Sequence, residues 1–131
     1  MEEAELLVGL ELRKSYKISE IVTIVSEALK KNNLNFLNFI QMDFCLYTLG
    51  YTEDVTIDTI CYIERPQEVT DDDEEIFPDF VIENSLNFLY SSELLENVIF
   101  NALHQKSNPS MKEFIECLNH YDKKDNFLDL K

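Results

Sequence analysis

Apolar residues recur at Ile21, Val22, Val25, Ala28 and Leu29, the three-and-four spacing that lines one face of an α-helix. The pattern predicts a helix opening at Ser19, a residue suited to cap free backbone N–H groups. It closes through Lys30 and Lys31, whose charges suit the carbonyl end, before Asn32-Asn33. Upstream, Leu6, Val8, Leu10 and Leu12 alternate as in a strand, whereas Glu2, Glu3, Ala4 and Leu7 also suit a helix, so the type of this first segment stays open.

Phe44–Leu49, FCLYTL, is short, nearly all apolar and followed by Gly50, the pattern of a strand buried on both faces. Val55, Ile57, Thr59, Cys61 and Ile63 then alternate with Thr56, Asp58, Ile60 and Tyr62. This β-branched run predicts a second strand, and joining the two through GYTED gives an antiparallel hairpin. Asn35–Met42 either extends the first strand or forms a separate turn. Beyond the acidic run, Pro78 restarts the apolar pattern: Phe80, Val81 and Ile82 read as a short helical turn and Leu86–Tyr90 as a third strand.

Ser92 reads as the cap of the next helix, with Leu94, Leu95, Val98, Ile99, Ala102 and Leu103 at helical spacing and Glu93 near the positive end. In the last helix Ser110 and Glu113 have capping-box spacing, and Met111, Phe114, Ile115, Leu118 and Tyr121 form the apolar stripe. The short QKSNPS link makes these two helices neighbours. The order of elements predicts one α+β domain, a small, mostly antiparallel sheet with helices packed on one face.

Length and composition agree with that reading, since 131 residues suit a single core and 45% are hydrophobic with only two glycines and three prolines. Charge changes the picture more. The chain carries a net −15, and between Glu53 and Glu83 twelve acids face one base, Arg65, a local net of −11. Such a field repels nucleic acid and anionic lipid and attracts basic partners, so direct binding to DNA, RNA or a membrane is not expected. The three cysteines, Cys45, Cys61 and Cys117, are odd in number and lie in apolar segments, as free reduced thiols do. The acidic N-terminus and the absence of an apolar run of about 18 residues complete the expectation of a soluble cytoplasmic protein.

For covalent chemistry the candidates are one of these cysteines with His104 or His120. Each has a structural explanation: the cysteines sit in core-type segments and the histidines near helix ends, where exposed carbonyls take them up. A phosphate loop is excluded with only Gly9 and Gly50 in the chain. The acidic run has neither the glycine of a calcium loop nor a nearby histidine, so no enzyme activity, cofactor or metal is expected.

Binding remains. The five consecutive acids Asp71, Asp72, Asp73, Glu74 and Glu75 read either as a solvated, extended loop or as a face offered to a basic protein. The second reading gains from acids that continue to Glu64, Glu68, Asp79 and Glu83, and from Phe77 and Phe80 alongside, since aromatic anchors inside an electrostatic rim typify tight interfaces. The candidate contact set is therefore Asp71 to Glu75 with Phe77, Asp79 and Glu83, while Phe80 is expected in the core.

DFCLY (Asp43–Tyr47), VTIDTICYI (Val55–Ile63), the acidic run and NSLNFLYSSELLENVIFNAL (Asn84–Leu103) together resemble small immunity proteins of bacterial contact-dependent inhibition and polymorphic toxin systems. The likeness runs from about Ser19 to the C-terminus. Met1–Lys17 lies outside it and reads as an extension or a partner-specific piece. The resemblance implies a cytoplasmic protein that binds the C-terminal toxin domain of a delivered effector, often a nuclease with a basic cleft, and neutralises it by stoichiometric occlusion. The alternative from another class is an acidic nucleic-acid mimic that inhibits a DNA-binding protein, in the manner of anti-restriction or anti-CRISPR proteins.

Overall fold

The computed structural model describes residues 5–7, 10–31, 44–50 and 52–130. Its strands are β1 (Glu5–Leu7), β2 (Leu10–Glu11), β3 (Ser15–Lys17), β4 (Cys45–Thr48), β5 (Ile60–Glu64), β6 (Glu68–Val69), β7 (Glu75–Ile76) and β8 (Asn87–Ser91). Its helices are α1 (Ile18–Lys31), α2 (Asp79–Glu83), α3 (Ser92–Gln105) and α4 (Met111–Lys124). The expected α+β fold is observed.

Four strands form the main sheet in the order β3-β5-β4-β8, with every pairing antiparallel. Central β4 is buried at all four residues because both sheet faces are covered, as its unbroken apolar run predicted. Alternation sends Leu46, with its neighbours Cys61, Ile63 and Tyr90, to the inner face. There they meet Ile21, Val22, Val25 and Leu29 of α1, Leu95, Val98 and Ile99 of α3, and Phe114 and Leu118 of α4. The outer face carries Cys45 and Tyr47, packed with Val81 and Leu86 in a second cluster that Tyr62, Phe77 and Phe80 complete. The three long helices thus share one face, and short α2 covers the other.

Local chemistry sets the helix ends. On α4 the capping box forms: Ser110 Oγ accepts from Glu113 N–H at 3.1 Å and Glu113 Oε1 accepts from Ser110 N–H at 2.8 Å. On α3 the cap is Ser91, whose Oγ accepts from Leu94 N–H at 3.1 Å, and Ser92 is a buried first-turn residue. The expected cap is displaced by one position because β8 runs directly into the helix. Ser19 likewise lies inside α1, where Glu20 Oε1 accepts from Lys17 N–H at 2.9 Å, half of a capping box without its serine.

Two further expectations are corrected. Val55–Thr59 is a turn and not strand: Thr59 N–H donates to Thr56 O at 3.1 Å and Thr59 Oγ1 accepts from Thr56 N–H at 2.8 Å, local bonds that outcompete the ladder. The β4–β5 pairing exists, but across a longer connection than GYTED. Within the stretch read as an extension, β3 and Leu10 are also part of the fold, since β3 pairs with β5 and Leu10 is fully buried in the main core. The readings on Asn32-Asn33 and Asn35–Met42 lie outside the described residues.

Candidate functional site

Between β5 and β8 the chain, residues 65–86, leaves one side of β4 and returns on the other, crossing the outer face as a strap. Its path is fixed at several points. The Tyr47 hydroxyl donates to Arg65 O at 2.9 Å, and burial, with Cys45 beside it, holds that phenol above its ordinary pKa range so that it keeps its proton. Phe77 and Phe88 both meet the Tyr47 ring edge-on, at 6.5 and 6.1 Å between centroids, and Phe80 lies 6.0 Å from Tyr62.

Within the strap the acidic run is an ordered hairpin. Strands β6 and β7 pair Glu68 with Ile76 and Val69 with Glu75. Asp73 N–H donates to Thr70 O at 2.9 Å, closing a turn, and Thr70 N–H donates to Glu74 O at 2.9 Å, closing the loop. Asp73 sits at φ 64°, the left-handed step that lets a three-residue loop follow the strand twist. Thr70 Oγ1 adds bonds from Asp72 N–H at 3.3 Å and Glu74 N–H at 3.1 Å. The sequence offered a loose, extended loop as one reading, but a single threonine and one left-handed aspartate hold the acids in an array.

The candidate residues divide accordingly. Asp71, Asp72, Asp73 and Glu74 form the exposed tip and Glu75 the start of β7. Asp79 and Glu83 lie four residues apart on the exposed side of α2, together with Ile82. Phe77 is half-buried and packs in the outer cluster, so its first role is to anchor the strap; Phe80 does the same, as expected. Glu64 does not join the acidic face. It is fully buried opposite Cys45, with Oε1 accepting from Arg65 N–H at 2.8 Å and Oε2 3.0 Å from Arg13 Nε, an ion pair off the hydrogen-bond line. Asp54 and Asp58 are drawn off as well, to Lys123 and Lys17.

Pattern reasoning missed the exposed apolar residues of this region, above all Ile82 and Phe88. A bulge explains Phe88. Leu46 pairs with Tyr90 but Tyr47 with Phe88, so Leu89 is the extra residue and Phe88 faces outward while Tyr90 faces inward. Strict alternation would place both on the core side.

Burial pushes the Cys61 thiol up to about 12 and Cys117 to about 11, so both stay protonated near neutral pH. His120 is bonded to Asn126 at 2.8 Å and His104 lies 4.5 Å from Phe100, ring to ring. Among the described residues no group of three His, Cys, Asp or Glu side chains is arranged to hold a metal ion, and no helix is long and apolar enough to cross a membrane.

A family model described as a domain of unknown function, DUF7716, matches residues 22–130. The chain belongs to this family. The DUF7716 match begins inside α1 and takes in β4, the strap and both C-terminal helices, whereas β1, β2 and β3 precede it. No curated protein and no solved structure matches the chain.

Proposed function

We propose that the protein is an immunity-type inhibitor that binds and neutralises a basic toxin domain, a nuclease in the simplest case, by occluding it one-to-one. The observation that carries this reading is the ordered acidic hairpin: Asp71 to Glu75 are held in place by Thr70 and Asp73 and project from a strap anchored to the sheet. An array fixed before encounter loses little conformational freedom on binding, and its field favours fast association with a basic surface. The gathering of the acids on one strap favours this reading over a nucleic-acid mimic, which would spread them along a duplex-like surface. The proposed site of action is the cytoplasm, where the free thiols of Cys45, Cys61 and Cys117 stay reduced.

The test is co-expression with the polypeptide encoded next to it, followed by purification and growth assay. The expected result is a one-to-one complex and protection from toxicity, with association slowed by salt and slowed again when Asp71 to Glu75 are changed to Asn and Gln. A toxic neighbour that neither binds nor is neutralised overturns the proposal.

A further inference from the structure

We infer that the outer face carries a second, apolar element of the same binding surface, formed by Phe88 and Ile82, and that it takes an apolar side chain flanked by lysine or arginine on a basic protein partner. The inference rests on the proposed function and adds to it what the acids alone do not provide.

Eight large apolar side chains are exposed among the described residues. Five of them, Ile60, Val69, Ile76, Ile82 and Phe88, lie on the outer face of the sheet or on the strap that crosses it. The strap already covers Cys45 and Tyr47 with Phe77, Phe80, Val81 and Leu86, yet leaves Phe88 at 47% and Ile82 at 60% exposure beside that cover. On α2 Ile82 follows Asp79 by three residues, which sets the two side by side on the exposed side of the helix, so the apolar group has a carboxylate next to it. Exposed apolar surface rimmed by charge is the composition of an interface centre.

Charge selects the occupant. A second copy of this chain would bring another net −15 against the acids of the same strap, so self-association through this face is opposed. A basic protein surface meets the acids with lysine or arginine and the apolar strip with an aliphatic or aromatic side chain between them. The hairpin then governs encounter, and Phe88 and Ile82 govern how long the complex lasts.

The experiment uses the full chain and two short synthetic peptides of equal positive charge, one with a Leu-Phe pair flanked by arginines and one with Ser-Ser in its place. Fluorescence anisotropy is expected to show the Leu-Phe peptide binding about tenfold more tightly. Phe88→Ser and Ile82→Ser should each narrow that gap, whereas neutralising Asp71 to Glu75 should weaken both peptides alike. Ile82, the more exposed of the two, provides a readout if Phe88→Ser disturbs packing against Tyr47. Equal binding of the two peptides, or a preference untouched by both variants, overturns the apolar site while leaving the acidic surface standing. Failure of both peptides to bind at low salt overturns the reading on which the site rests.

Discussion

Asn119 holds both backbone groups of Val55, a residue 64 positions earlier: Val55 N–H donates to Asn119 Oδ1 at 2.8 Å, and Asn119 Nδ2 donates to Val55 O at 3.0 Å. The carboxamide on α4 does for the turn before β5 what a neighbouring strand would otherwise do. Val55 is almost fully buried, so these groups have no water to fall back on.

Asn119→Ala is therefore expected to cost about 1–3 kcal/mol of stability by leaving a buried donor and acceptor unpaired. Asn119→Asp keeps the acceptor, loses the donor and sets a carboxylate against the Val55 carbonyl, so it should be no better. Denaturant titration measures both, and an unshifted midpoint for Asn119→Ala would show the clasp to be dispensable.

Arg13→Ala removes the counter-charge of fully buried Glu64. Because Arg13 is itself half exposed, the expected loss is about 1–3 kcal/mol, less than for a pair buried on both sides. The diagnostic is rescue. Adding Glu64→Gln, which removes the charge but still accepts from Arg65 N–H, should restore part of the loss; an additive double variant would argue that the two side chains do not interact.

Ser85 closes α2 in a left-handed conformation at φ 53°, with Leu86 N–H donating to Val81 O at 3.0 Å and Ser85 N–H to Ile82 O at 3.2 Å. This is a Schellman ending, with Leu86 and Val81 in apolar contact, and it prefers glycine. Ser85→Gly is expected to stabilise by about 0.5–1 kcal/mol, and Ser85→Val to destabilise by at least as much. Thermal melts of the pair decide it, and a stabilising valine would contradict the assignment.

Lys106 donates to Glu113 at 2.6 Å, and this bond, together with the one from the Ser110 backbone, holds the Glu113 carboxyl below the usual carboxylate range. A carboxyl whose pKa is lower folded than unfolded contributes stability above its unfolded pKa, and that contribution is lost as pH falls through the folded value. Stability followed from neutral pH into acid should thus decline less steeply in Glu113→Gln than in the wild type. Parallel curves would remove Glu113 from the acid response.

Features with strong local chemistry were readable in the chain. The Ser110–Glu113 box, the apolar run of β4 and the stripe of α3 need only near neighbours to take effect. Those decided by partners distant in sequence were not. Val55–Thr59 has the alternation of a strand, yet local hydroxyl bonds and Asn119 take its backbone. Strand β3 spans three residues and shows no periodicity of its own; β5 supplies its reason to be extended. At the candidate site the acids were evident, but their hairpin rests on a left-handed aspartate where glycine or asparagine would be the signal, and Phe88 faces out through a bulge that no pattern announces.

The strap's route has a consequence for how such a protein can change over time. It starts and finishes on the two strands that flank β4, and it is fastened to the sheet through the outer cluster, on the opposite side from the main core. Substitutions or small insertions at the hairpin tip and along the outward side of α2 leave the packing of α1, α3 and α4 untouched. On the proposed function, recognition can therefore be rewritten on one face of the sheet while the packing on the other continues unchanged, which makes residues 68–83 the place where variants with different binding preferences should differ first.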